Sequence, residues 1–420
     1  MNSKERVFTS LNHQLPDRIP VDFGATNVSG MHVSCVAALR DYYGLEKKLV
    51  TVHEPGQMLG WLDEDLKSII GVDVEPIFPR KVNFGFRNEN WKSWRMPDGL
   101  EVLVAGDFNV TTDEQGNIYM HPQGDLSAPP SARMPNDGYF FDAIIRQEPI
   151  VEEQLNPEDN LEEYQPITDD TLEYLDTEVK RAASTGRAVV ASFGGTGLGD
   201  IARVPGPGLR HPRGIRDITE WYMSLATRPD YLHAVFSRQT DIALENLHKI
   251  ARRVGDMDLI VQICGTDFGT QTGAFCSLKT FKNLYKPYYQ KINNWIHENT
   301  RWRTFKHSCG SVERFLEDFI ECGFDIFNPV QCSAANMDPE QLKRKYGDRI
   351  TFWGGVVDTQ KTLPFGTTQQ VREEVLKRCE IFASNGGFVI NSVHNVQART
   401  PVENIVALID AIHEFNGVTT

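Results

Sequence analysis

His307 and Cys309, in the run Lys306-His307-Ser308-Cys309-Gly310, are the residues whose types and spacing best fit a chemical task. Two positions apart on an extended segment, their side chains face the same side. Imidazole with thiolate is a zinc-type donor pair. His394 can supply a third ligand and leave a fourth position open, the arrangement of a catalytic zinc site. The competing reading makes His394 a hydrogen-bonded rim histidine and Cys309 a small buried hydrophobe. Cys264 and Cys332 are rival thiols for the third position. Asp267, in Gly265-Thr266-Asp267-Phe268-Gly269, can act as base, acid or substrate orienter, or merely cap a turn. Asn27, Gln331 and Asp358 are candidates for holding a cofactor, although Asp358 with Gln360 also reads as a turn into a helix. Gly194, Gly195, Gly197 and Gly199 could cradle a phosphate, but a lone glycine-rich loop carries little information.

The elements that must position these residues alternate along the chain. Short apolar runs at 18–23, 72–77, 188–193, 259–264, 303–307, 324–328, 350–354 and 387–391 read as strands. Amphipathic helical stretches separate most of them: 29–43, 59–70, 171–184, 217–227, 229–254, 278–297, 311–322, 338–346, 367–384 and 402–415. Strands of about five apolar residues, each leading into a helix, specify a parallel sheet with helices outside. Eight such units predict a (β/α)8 TIM barrel, an α/β fold whose active site lies at the C-terminal ends of the strands. All the candidates above fall just past a strand. Ser311, Asp338 and Thr367 read as helix N-caps. The stretch from about 80 to 165, rich in Gly, Asn, Asp, Pro and Trp, breaks the repeat. It reads as an insertion of hairpins and loops after the second strand of a single barrel domain spanning 1–420. Trp91 and Trp94 within it are expected to pack on sheets rather than line a pocket.

Composition narrows the functions. With 43 basic against 57 acidic residues the net charge is −14, and no Lys/Arg-rich stretch occurs. Binding along a nucleic-acid backbone needs clustered cations, so no nucleic acid is expected. No apolar run is long enough for a membrane span, and the polar stretch Met1–Pro20 has no signal-like core. Seven scattered cysteines fit a reduced, cytoplasmic chain, with Cys35, Cys276, Cys322 and Cys379 expected on helix faces in the core.

The runs 306–310, Asn328-Pro329-Val330-Gln331, Gly354-Gly355-Val356-Val357-Asp358-Thr359-Gln360, Val393-His394-Asn395-Val396-Gln397 and Thr400-Pro401-Val402-Glu403-Asn404 resemble the uroporphyrinogen decarboxylase superfamily. Pro16-Asp17-Arg18-Ile19-Pro20-Val21 fits as well. The resemblance implies a (β/α)8 barrel and two alternative activities. The decarboxylase branch carries an Arg-rich N-terminal loop that grips substrate carboxylates. The matching stretch here, Phe23–Gly30, has no arginine, although Asp73 loosely matches that branch's catalytic aspartate. The cobalamin-dependent methyltransferase branch carries His-x-Cys-Gly where His307, Cys309 and Gly310 stand, and a zinc-binding Cys where His394 stands. By resemblance, then, the expected activity is zinc-dependent methyl transfer from a methylcorrinoid to a small-molecule acceptor, a thiol or tetrahydrofolate. Zinc is held by His307, Cys309 and His394, and Asp267 moves a proton or orients the acceptor. A neutral thiol is only a few per cent thiolate at pH 7, which is why the metal matters. No Asp-x-His-x-x-Gly motif is present, so the corrinoid is expected on a partner protein. The alternatives are a cofactor-independent carboxy-lyase acting on a polycarboxylate and a non-catalytic ligand-binding barrel. A homodimer is admitted by the sequence but not specified by it.

Overall fold

In the computed structural model, which describes residues 1–418, a curled parallel sheet forms the centre. Its seven strands run in the order Phe388–Val389, Thr351–Trp353, Ile326–Asn328, Arg303–His307, Ile260–Cys264, Ala188–Ala191 and Val74–Ile77. Almost every residue in them is buried, as expected for strands covered on both faces. The chain at Val21 closes the ring. It makes a parallel bridge to Ile390, and the Val21 carbonyl accepts the Asp73 N–H at 2.8 Å. The molecule is therefore a (β/α)8 barrel.

The first stave is shorter than the strand expected over 18–23. Pro20 has no N–H to give to a ladder. The Val21 N–H is taken by the carboxylate of Asp73 at 3.0 Å rather than by a neighbouring carbonyl. A two-sided ladder cannot extend past either point.

The outer helices Pro229–Val254 and Val402–Phe415 have the expected bounds. Asp338 and Thr367 cap their helices by accepting the N–H of Gln341 and Gln370. Ser311 does not cap. Its helix is Glu313–Glu321, its N–H is bound to the Thr270 carbonyl at 2.8 Å, and its Oγ donates to the Ala335 carbonyl at 2.6 Å. Ser311 thus ties the His307–Gly310 loop to its two neighbours. The helix expected over 278–297 runs unbroken from Leu278 to Asn299, widened to a π-type turn at Phe281–Tyr285. Cys276 lies in the loop before it, not on a helix face.

The insertion holds two small sheets. Val110–Thr112, Ile118–Met120, Ala132–Met134 and Asp142–Ala143 form a meander. The other sheet joins Lys92–Arg95 and Glu101–Val104 to Val50–Glu54 and Leu59–Gly60. This elaboration begins earlier than residue 80, and the helix expected from Leu59 starts only at Glu64. Gly60 explains the difference, because a side chain there would come within 3.0 Å of the Val33 Cα. The strand is thus pressed onto the helix Val33–Tyr42. Buried apolar residues run in one continuous cluster from the barrel into the insertion. Trp94 packs on Phe108 with ring centroids 5.0 Å apart, and Trp91 is exposed. No helix among the described residues is long and apolar enough to cross a membrane.

Candidate metal centre and cavity

The strand Arg303–His307 ends on His307, and the chain turns sharply at Gly310. Gly310 has φ +85°, and a Cβ there would lie 2.4 Å from the Gly269 carbonyl carbon. Only glycine fits this crossing. Below it, Lys306 is fully buried; its ammonium donates to the carbonyls of Thr266 at 2.7 Å and His307 at 2.5 Å. It lies over the Phe268 ring at 5.0 Å. Lys306 thereby clamps the loop carrying Asp267 to the strand carrying His307.

The chain folds so that His307, Cys309 and His394 meet. Their candidate ligand atoms all lie within 4.8 Å of one another. His307 Nε2 is 3.3 Å from Cys309 Sγ, and the two imidazoles are 5.4 Å apart, centroid to centroid, nearly perpendicular. His394 rather than Cys264 or Cys332 completes the group. The protonation of His307 follows from its partner. Asn328 donates its amide N–H to the Trp353 carbonyl at 2.9 Å, so its Oδ1 accepts. His307 Nδ1, 2.6 Å from that oxygen, must carry the proton. Nε2 is left with a lone pair facing the cluster, the orientation a metal ligand requires.

Burial sets the electrostatics. It lowers His307 to about 4 against the Asn328 hydrogen bond, and lowers His394 to about 4 with help from His307. Both rings are neutral at pH 7 and can donate lone pairs. Burial, with the negative charge of Asp267, pushes the Cys309 thiol well above its usual range. Burial also raises Asp267, although its Oδ1 accepts the Cys309 N–H at 2.7 Å. A tetrahedral zinc spaces N and S donors by about 3.5 Å, close to the His307–Cys309 separation. Two neutral imidazoles and one thiol of this spacing suit zinc, and a bound cation would reverse the penalty on the thiolate.

Two clefts meet at this cluster. The larger, about 250 Å3, is lined by Asn27, Glu54, Asp200, Arg203, Asp267 and His394 among others. The smaller, about 150 Å3, is lined by Cys309, Gln331, Asp358 and, again, His394. Gln331 Oε1 accepts the Gly310 N–H at 2.7 Å. Asp358 Oδ1 accepts the N–H groups of Gln360 and Lys361 at 2.6 and 2.9 Å. Both shape loops while facing the smaller cleft. Gly194, Gly195 and Gly197 line the larger cleft.

Sequence reasoning passed over Asn328 as an orienting partner, and over Glu54, Asp200 and Arg203 altogether. The only signal for Asn328 was its place at a strand end. Asp200 and Arg203 follow a glycine-rich stretch with no regular spacing to the other groups. Asp73 stands at the opposite, N-terminal end of its strand. It is fully buried and ion-paired with Arg6 at 2.6 Å and Arg18 at 2.8 Å. Its loose match to a decarboxylase's catalytic aspartate is not supported, since its carboxylate is engaged by two arginines at the end of the barrel away from His307, Cys309 and His394.

A (β/α)8 barrel that gathers two histidines, a cysteine and an aspartate at the C-terminal mouth of its strands has the layout of a barrel enzyme. The chain belongs to the uroporphyrinogen decarboxylase (URO-D) family, whose pattern matches residues 146–415. A uroporphyrinogen decarboxylase of Pseudoalteromonas translucida (strain TAC 125) is 29% identical over 90 residues, 20% of this chain and 25% of that protein. The methylcobamide:CoM methyltransferase MtaA of Methanosarcina barkeri is 26% identical over 136 residues, 32% of this chain and 37% of that protein. The chain thus spans well under half the length of these relatives in the matched stretches. A methyltransferase from Methanosarcina mazei shares the fold, with TM-score 0.55, 14% identity and 99% of both chains covered.

Proposed function

We propose that this protein is a zinc-dependent methyltransferase that moves a methyl group from a methylated corrinoid, carried by a partner protein, to a thiol or tetrahydrofolate acceptor. The observation that carries the reading is the His307–Cys309–His394 cluster, three donors within 4.8 Å at the mouth of the barrel. Zinc bound there would supply Lewis acidity to hold an acceptor thiol as its thiolate near pH 7. His307, with its tautomer set by Asn328, and His394 would be neutral ligands. Cys309 would be the anionic one. Asp267 pins the Cys309 N–H with Oδ1 and would take the acceptor's proton or orient it through Oδ2. Asn27 would contact ligand in the larger cleft, and Gln331 and Asp358 in the smaller. Transfer would break the donor's cobalt–carbon bond, leaving its electron pair on cobalt, while a sulfur or nitrogen pair forms the new bond to carbon. A cavity of about 250 Å3 is below the size that encloses a drug-like ligand, so the corrinoid would present its methyl group at the rim.

Decarboxylation of a polycarboxylate has less support. The larger cleft is lined by three carboxylates, Glu54, Asp200 and Asp267, and by one cationic side chain, Arg203. Such a wall repels a polyanion.

The test is the metal content of protein purified without added zinc, beside a His307→Ala/Cys309→Ala double variant. The expected result is about one zinc per parent chain and none in the folded variant, with thiol-dependent demethylation of methylcobalamin only by the parent. A parent that refuses zinc even when it is offered would overturn the reading in favour of the lyase.

A further inference from the structure

The charges lining the larger cleft are not equally committed. Glu54 accepts the N–H groups of Gly56 at 3.0 Å and Gln57 at 2.7 Å, one on each oxygen. Asp267 holds the Cys309 N–H. Asp200 has only a local turn contact, Oδ1 to the Ala202 N–H at 3.0 Å. Its Oδ2 is left without a partner among the described residues. Two glycines make room around that oxygen. A Cβ at Gly265 would stand 3.1 Å from Asp200 Oδ2, and one at Gly197 would stand 3.7 Å from it. Arg203 lines the same cleft and forms no side-chain hydrogen bond or ion pair among the described residues. Its charge acts on Asp200 without pairing with it. Two polar atoms nearby are buried without partners: Asn27 Oδ1, in the wall of this cleft, and the Tyr222 hydroxyl, which feels the charges of Asp267 and Asp200.

The cleft therefore offers a carboxylate oxygen and a guanidinium without partners among the described residues, three residues apart in sequence. Both side chains are half-buried, and a ligand that displaces water from the cleft must answer them. A simple anion would leave Asp200 unanswered, and a simple cation would leave Arg203. A molecule carrying both an ammonium and a carboxylate answers both.

We propose that Asp200 and Arg203 form a zwitterion pocket, and that the small molecule offered to the His307–Cys309–His394 cluster is an amino-acid thiol. The ammonium is held by Asp200 and the carboxylate by Arg203, leaving the sulfur at the free end of the molecule. This rests on the methyltransferase reading, and it names the acceptor class for that reaction.

The experiment titrates the cobalt-substituted protein with matched thiols and reads the thiolate-to-cobalt absorption. The probes are L-cysteine and L-homocysteine, cysteamine (no carboxylate), 3-mercaptopropionate (no ammonium) and 2-mercaptoethanol (neither). One of the amino acids is expected to bind at least tenfold tighter than the three truncated thiols. Asp200→Asn should erase its advantage over 3-mercaptopropionate, and Arg203→Gln its advantage over cysteamine, both at the parent's metal content. A second arm follows the S-methylated amino acids by calorimetry with the His307→Ala/Cys309→Ala variant, which reads the pocket without the metal. Equal affinities across the thiols, or tightest binding of 3-mercaptopropionate or cysteamine, would overturn the zwitterion pocket while leaving the metal reading intact. Binding of the S-methyl amino acids with no thiol response at cobalt would sustain the pocket and overturn the methyltransferase reading. Silence in both arms would overturn both.

Discussion

His307 donates its Nδ1–H to Asn328 Oδ1 across 2.6 Å, and Asn328 is in turn fixed by donating to the Trp353 carbonyl. Three neighbouring strands thereby decide which nitrogen of one histidine faces the cleft. Removing such an outer partner commonly costs a metal site about 10–100-fold in affinity. Asn328→Ala is expected to weaken zinc by that factor while the barrel still folds. A chelator competition on the folded variant measures it, and an unchanged affinity would mean that His307 is oriented by something else.

His394 is the third member of the cluster, and Cys264 lies outside it. His394→Ala should lower zinc affinity by more than tenfold, whereas Cys264→Ser should leave it within about twofold. The same competition assay compares them directly. The reverse order would transfer the third position to the Cys264 thiol.

Asp73, fully buried at the bottom of the barrel, pairs with the buried Arg6 and the half-buried Arg18. Losing one partner of a buried pair strands the other charges, at a cost of about 3–5 kcal/mol. Asp73→Asn should therefore shift urea unfolding strongly and leave zinc binding by the remaining folded protein as it was. A variant of normal stability that loses activity would restore Asp73 as a catalytic group.

His53 is buried against Phe78, with ring centroids 4.3 Å apart, and burial, with a smaller contribution from Lys67, lowers it to about 3. The folded value is depressed below the ordinary 6.5, so the unfolded chain binds the proton first. Its contribution to stability is complete above pH 6.5 and is lost as pH falls toward 3. Relative to His53→Phe, the parent should lose about 1.4 kcal/mol per pH unit below 6.5. Urea melts of both proteins at pH 7, 6 and 5 give the difference, and parallel profiles would show that His53 keeps its proton in the fold.

The sequence by itself determined the staves of the barrel and the His-x-Cys pair. Continuous apolar runs of about five residues and helical stretches of period 3.6 are local patterns. A pair two residues apart on extended chain shares a face, and His307 and Cys309 still meet although the strand ends at His307. The first stave was legible as position but not as extent, because Pro20 and the Asp73 side chain interrupt the ladder only when the strands are side by side. Ser311 read as a cap because its local sequence suits one, and the crossing loops at Thr270 and Ala335 claimed it instead. Which residue completed the cluster was decided only by tertiary structure, since His394 comes from the last stave, which the closing ring brings to the same mouth. The same holds for Asp200 and Arg203. Their oxygen and guanidinium are defined by what does not touch them among the described residues, and that is a property of the assembled cleft, which no local pattern in the chain encodes.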